Sequence, residues 1–128
     1  MTESQKFFIC KKCGNLVGMV HYSGAPLSCC GAYMQELAPN TSTASAEKHL
    51  PVITSSNGRV LVEVGSIPHP MTEEHLIEWI YLQTRSGGQR KRLLPGEKPR
   101  AVFVVEGDEP IAAFAYCNLH GLWGVSIL

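Results

Sequence analysis

Charge is scarce in this chain of 128 residues: Asp, Glu, Lys and Arg make up 17%, below the usual ~25%. Eleven basic residues offset eleven acidic ones, for a formal net charge of zero. Nucleic-acid binders carry a basic excess that attracts phosphate, so that class is disfavoured. No apolar run approaches the ~20 residues of a membrane span. The opening residues, Met1-Thr2-Glu3-Ser4-Gln5-Lys6, show no charged-then-apolar export pattern, so the expected location is the cytoplasm. In that reducing compartment an odd number of cysteines, five, argues against a disulfide scaffold. Hydrophobic residues reach 45%, enough for a small packed core.

Metal-ligating side chains are what the chain does have. The cysteines are Cys10, Cys13, Cys29, Cys30 and Cys117; the histidines are His21, His49, His69, His75 and His120. Thiolates and imidazoles suit zinc, iron and copper. Composition divides the chain into a Cys-rich segment (1–37), a small and polar linker (38–46) and a larger region (47–128) with four of the histidines and the last cysteine.

The larger region reads as strands. Arg59-Val60-Leu61-Val62-Glu63-Val64 puts three valines on one face. Residues 101–105 and 111–116 flank Glu106-Gly107-Asp108-Glu109-Pro110 and suggest a hairpin, and Gly87-Gly88 marks a turn. The stretch 75–84 is ambiguous. Thr72 could cap a helix and Leu76, Ile80 and Gln83 keep helical spacing, yet Ile77, Trp79 and Tyr81 alternate. Its aromatic and β-branched content favours a strand after a short helical turn. Roughly seven short strands in this length suggest an antiparallel sandwich.

Cys10-Lys11-Lys12-Cys13-Gly14 is a C-x2-C knuckle in which Gly14 supplies the positive φ that turns N–H groups toward sulfur. Cys29-Cys30-Gly31 follows after a gap long enough for a returning hairpin. Four thiolates suit zinc or a single iron. Neighbouring side chains in extended backbone point apart, so Cys29 and Cys30 can share an ion only through a local backbone adjustment. The segment is too small to be held by apolar burial alone, so metal binding is expected to supply much of its folding free energy. His21 reads as a surface residue.

The second set is Glu47-Lys48-His49, His69-Pro70-Met71 to His75, and Cys117-Asn118-Leu119-His120-Gly121. Turn residues beside these imidazoles allow ligands from separate strands to converge. Four imidazoles and one thiolate exceed the four ligands of structural zinc and fit a square pyramid with one vacant position. Blue copper would leave two histidines over and finds no Met after His120. Three classes stay open: an oxidoreductase with an open iron, an iron electron carrier without substrate turnover, and a zinc-stabilised interaction module. Arg90-Lys91-Arg92 could dock an acidic electron donor or form a solvated strand edge.

Together these strings, with Ile77-Glu78-Trp79-Ile80 and Cys117-Asn118-Leu119-His120-Gly121-Leu122-Trp123, resemble desulfoferrodoxin, the two-iron class of superoxide reductase. Gly31-Ala32-Tyr33-Met34 departs from the Gly-Glu-Pro-Met common in that family. The resemblance implies an all-β protein: a desulforedoxin-like metal-binding domain followed by an immunoglobulin-like antiparallel β-sandwich. It implies a first iron on Cys10, Cys13, Cys29 and Cys30 in a rubredoxin-like centre. A second iron would sit on His49, His69, His75 and His120 with Cys117 axial. Lys48 would attract superoxide and Glu47 would fill the vacant position in the ferric state. The implied reaction reduces superoxide to hydrogen peroxide with electrons from rubredoxin or a similar donor, in a homodimer.

Overall fold

The computed structural model describes residues 4–41 and 46–127 and divides into two units, Met1–Ala38 and Pro39–Leu128. Of the stretch read as linker, residues 42–45 lie outside the described residues, as do residues 1–3 of the opening segment. No helix among the described residues is long and apolar enough to cross a membrane.

The first unit is built from very short strands. Phe7–Ile9 (β1) pairs antiparallel with Leu16–Gly18 (β2) on one side and Gln35–Glu36 (β5) on the other. Phe7 and Phe8 are buried, and the Phe8 ring lies 5.5 Å from Tyr22. Ser28–Cys29 (β3) and Ala32–Tyr33 (β4) form a separate hairpin. Its two turn residues are Cys30 at φ 55° and Gly31 at φ 74°. Positive φ at both central positions is the requirement of a type I′ turn. That is the backbone adjustment the adjacent cysteines need.

The second unit opens with one turn of helix, Ala46–His49 (α1), and continues as seven strands in two antiparallel sheets. Pro51–Ser56 (β6), Arg59–Val64 (β7) and Arg100–Val104 (β10) form one, in the order β10-β7-β6. Ile77–Thr84 (β8), Gly88–Arg92 (β9), Pro110–Cys117 (β11) and Gly121–Ser126 (β12) form the other, in the order β12-β11-β8-β9. Val60, Val62 and Val64 of β7 meet Phe103 of β10, Ile80 and Leu82 of β8, and Ala113, Ala115 and Cys117 of β11 in one core. The result is an all-β chain whose second unit is an immunoglobulin-like sandwich. Asn57 and Gly58, both at positive φ, turn β6 into β7.

Two local expectations need revision. Residues 101–105 and 111–116 do not form a hairpin: β10 pairs with β7 and β11 with β8 and β12, so the connection between them crosses from one sheet to the other. Each strand finds a better-matched apolar partner elsewhere in the chain, which no local turn signal reveals. In the stretch 75–84 the strand forms from Ile77, and residues 72–75 make a bend rather than a helical turn. A bulge explains the mixed periodicity: Tyr116 faces Trp79, but Cys117 faces Ile77, leaving Glu78 extra. Ile77 and Ile80 therefore both reach the core despite their three-residue spacing.

Candidate metal centres

In the first unit, the sulfur atoms of Cys10, Cys13, Cys29 and Cys30 all lie within 4.8 Å of one another. Cys13 Sγ is 3.6 Å from Cys29 Sγ, and Cys29 Sγ is 3.9 Å from Cys30 Sγ. A tetrahedron with metal–sulfur distances near 2.3 Å has sulfur–sulfur edges of about 3.8 Å. The two measured edges bracket that value, so the residues fit a four-coordinate ion.

Gly14, at φ 84°, donates its N–H to Cys10 O at 2.8 Å and closes the knuckle. The turn aims Cys13 N at Cys10 Sγ and Asn15 N at Cys13 Sγ, each at 3.5 Å. Asn15 also extends its side-chain amide to Cys29 Sγ at 3.7 Å. Donation from the Cys13 N–H is the main reason the Cys10 thiol is lowered to about 6. Cys30 moves the other way, to about 12, chiefly through its hydrogen bond with Cys13. Four neighbouring sulfurs cannot all carry negative charge without a cation among them.

In the second unit five donor atoms converge within 4.8 Å of one another: one from each of His49, His69, His75, Cys117 and His120. They come from four places in the fold. His49 ends α1, His69 and His75 lie in the connection between β7 and β8, Cys117 ends β11, and His120 sits in the turn into β12. Gly121, at φ 79°, makes that turn possible and pairs back with Cys117.

The four imidazoles form a ring. His49 meets His69 and His120 edge-on at 4.8 and 4.9 Å between centroids, and His75 meets His69 and His120 at 4.6 and 5.2 Å. His49 Nε2 lies 3.2 Å from His69 Nε2 and 3.1 Å from His120 Nδ1. Adjacent corners of a square with metal–nitrogen arms near 2.1 Å are about 3.0 Å apart. The buried Nε2 of His75 has no hydrogen-bond partner. A buried polar atom left so is costly unless a cation supplies the missing contact. The donor set therefore fits a metal held by four nitrogens and one sulfur.

Surrounding groups fix these ligands. His69 Nδ1 lies 2.7 Å from the Pro70 carbonyl, which can only accept; the ring proton is thus on Nδ1 and the Nε2 lone pair faces inward. Burial lowers His69 to about 4, with the neighbouring histidines adding to the effect. Burial likewise lowers His75, helped by the charges of His120, His49 and Lys48. Both imidazoles are therefore neutral and ready to bind at pH 7. Trp123 stacks on His49 at 4.6 Å and donates its indole N–H to His120 O at 3.1 Å. Fully buried Cys117 has its thiol pushed up by burial, against N–H groups of Leu119 and His120 that favour the thiolate. A cation completes that balance toward the anion.

All nine sequence-predicted metal ligands thus fall into two clusters, four in one unit and five in the other. Glu47 and Lys48 lie exposed on α1, and Lys48 is close enough for its charge to act on His75. His21 is exposed and belongs to neither cluster. Trp123 and Pro70 stand in the strings quoted from the sequence, but the contacts they and Asn15 make with the ligands are marked by nothing in their spacing.

Comparison with known proteins places the chain among relatives. The family model described as Desulfoferrodoxin matches residues 41–126. A desulfoferrodoxin homolog from Archaeoglobus fulgidus is 45% identical over 123 residues, covering 96% of this chain and 98% of the relative. A desulfoferrodoxin from Syntrophotalea carbinolica is 44% identical over 124 residues, covering 96% and 97%. The crystal structure of the superoxide reductase from Treponema pallidum superposes with a TM-score of 0.82 at 33% identity, covering 98% of this chain and all of that one.

Proposed function

The chain belongs to the desulfoferrodoxin family, and from that premise we propose that it is a superoxide reductase: superoxide, one electron and two protons give hydrogen peroxide. The observation that carries the reading is the ring of four imidazoles with a buried thiol beside it. Five donors leave a six-coordinate ion one position for substrate, whereas tetrahedral zinc would use only four. An iron ion held there supplies the electron and a Lewis-acidic site for a small anion.

The protein's own groups act around that ion. His49, His69, His75 and His120 would hold it through neutral imidazole nitrogens, which add no negative charge to repel an anionic substrate. Cys117 would hold the ion as a thiolate, an anionic donor that favours the ferric state. Lys48 draws superoxide inward through its positive charge. Glu47 would be the carboxylate available to the vacant position of a ferric ion. Cys10, Cys13, Cys29 and Cys30 hold the other iron. Residues 1–37 form the four-cysteine domain, 38–46 the linker and 47–128 the catalytic domain. The electron donor is rubredoxin or a similar carrier, and the protein acts in the cytoplasm as a homodimer.

Metal analysis combined with azide or cyanide titration tests this reading. The expected result is two irons per chain, with the anion shifting the spectrum of the second centre alone. Zinc in place of iron would indicate an interaction module. Iron that takes no added anion would indicate a closed electron carrier.

A further inference from the structure

His75 is presented by an exposed stretch, residues 72–74, yet its Nε2 is buried and aimed at the other ligands. Two sets of bonds hold it there. Thr72 closes a turn on His75: Thr72 Oγ1 accepts from His75 N at 3.1 Å, and Thr72 N donates to His75 O at 3.0 Å. The finished turn is then gripped by Asn118. Its Oδ1 accepts from Leu76 N at 3.0 Å, and its Nδ2 donates to Glu74 O at 2.9 Å. The Asn118 main-chain N–H also donates to Leu76 O at 3.3 Å.

One carboxamide thus spans the main chain on both sides of His75. The same residue follows Cys117 and stands two before His120. It joins the segment bearing one ligand to the turn bearing two others. Asn is suited to this because a single planar group offers an acceptor and a donor on opposite edges. Aspartate keeps the acceptor for Leu76 N but turns an oxygen toward Glu74 O. Leucine, similar in size, keeps neither. The Thr72 bonds and the main-chain bond from Asn118 N to Leu76 O do not involve the carboxamide, so the turn stays formed while its side-chain docking is halved in the aspartate variant and lost in the leucine variant.

We propose that Asn118 is the positioning residue that keeps His75 on the second metal, by tying the 72–76 segment to the Cys117–His120 turn. The inference rests on the five-ligand reading of the site. Groups around a ligand that fix its orientation typically contribute 10–100-fold to metal affinity.

The test uses the full chain loaded with iron, as parent, Asn118→Leu and Asn118→Asp. Pulsed paramagnetic resonance counts the histidine nitrogens on the ferric second centre. A chelator challenge measures iron retention there, with the four-cysteine centre of the same chain as internal reference. The expected result is four nitrogens in the parent and three in Asn118→Leu. Retention at the second centre should fall about 10–100-fold, with Asn118→Asp intermediate and the first centre unchanged. Four nitrogens and retention within about twofold of the parent in the variants would overturn the proposal. Should the leucine variant fail to fold, the aspartate variant decides by the same two readouts. Fewer than four nitrogens in the parent would contradict the five-ligand reading itself, and the inference with it.

Discussion

Single side chains set the chemistry, and two of them make it measurable. Lys48 is exposed, and its charge reaches a ligand of the site. In a chain without net charge, such a local positive potential is the main attraction for a small anion. Lys48→Ala should slow superoxide capture by about tenfold, at the low end of what local steering provides, and flatten its dependence on ionic strength. Unchanged rates in stopped-flow mixing would remove that role. His69 gives a pH dependence. Its folded pKa is about 4, below the ordinary 6.5. Between those values the unfolded chain binds a proton that the folded chain refuses. The stability that His69 contributes to the iron-free protein should therefore be fully present above pH 6.5 and be lost as the pH falls toward 4. Thermal melts at pH 7 and 4.5 check this, and His69→Gln should show the smaller drop. Cysteines and imidazoles were legible in the sequence because they are rare and sit beside turn residues. Asn118 and Trp123 stood only as members of the string that carries the family resemblance, and the roles of these two and of Asn15 were not legible, because amides and indoles occur anywhere and only their distances to the ligands mark them.

Secondary-structure elements bring those side chains together, and here sequence was a less complete guide. The valine alternation in β7 was readable because one face of that strand is fully buried. The supposed hairpin across 106–110 was not a hairpin, because strand partners are chosen by apolar matching over long separations. The periodicity of β8 was blurred by the bulge at Glu78, which lets Ile77 and Ile80 both face inward. Gly65 shows how closely these elements approach at the site. A Cβ there would lie 2.7 Å from Glu47 O, 3.0 Å from Leu50 O and 3.1 Å from the Lys48 carbonyl carbon. All three are main-chain atoms that cannot swing aside, and they belong to the turn presenting His49. Gly65→Ala should cost about 1–3 kcal/mol, as overpacking does. It should also weaken iron binding at the second centre and spare the first. Denaturant melts and chelator titration would show this; wild-type values in both would mean the helix shifts freely.

The whole molecule is two units, and each contains all the ligands of one cluster. In the sequence, four cysteines precede the polar stretch and four histidines with the fifth cysteine follow it. Cys13→Ser should therefore abolish the first centre and leave the second with its iron and its absorption band. Loss of both bands would show that the centres depend on each other. The account as a whole stands on what becomes of superoxide. Reduced protein should be mixed anaerobically with a known amount of it, and peroxide and dioxygen both quantified. The predicted result is one peroxide for each superoxide consumed and no dioxygen. Equal amounts of peroxide and dioxygen, half a molecule of each per superoxide, would identify dismutation and contradict the proposed reduction.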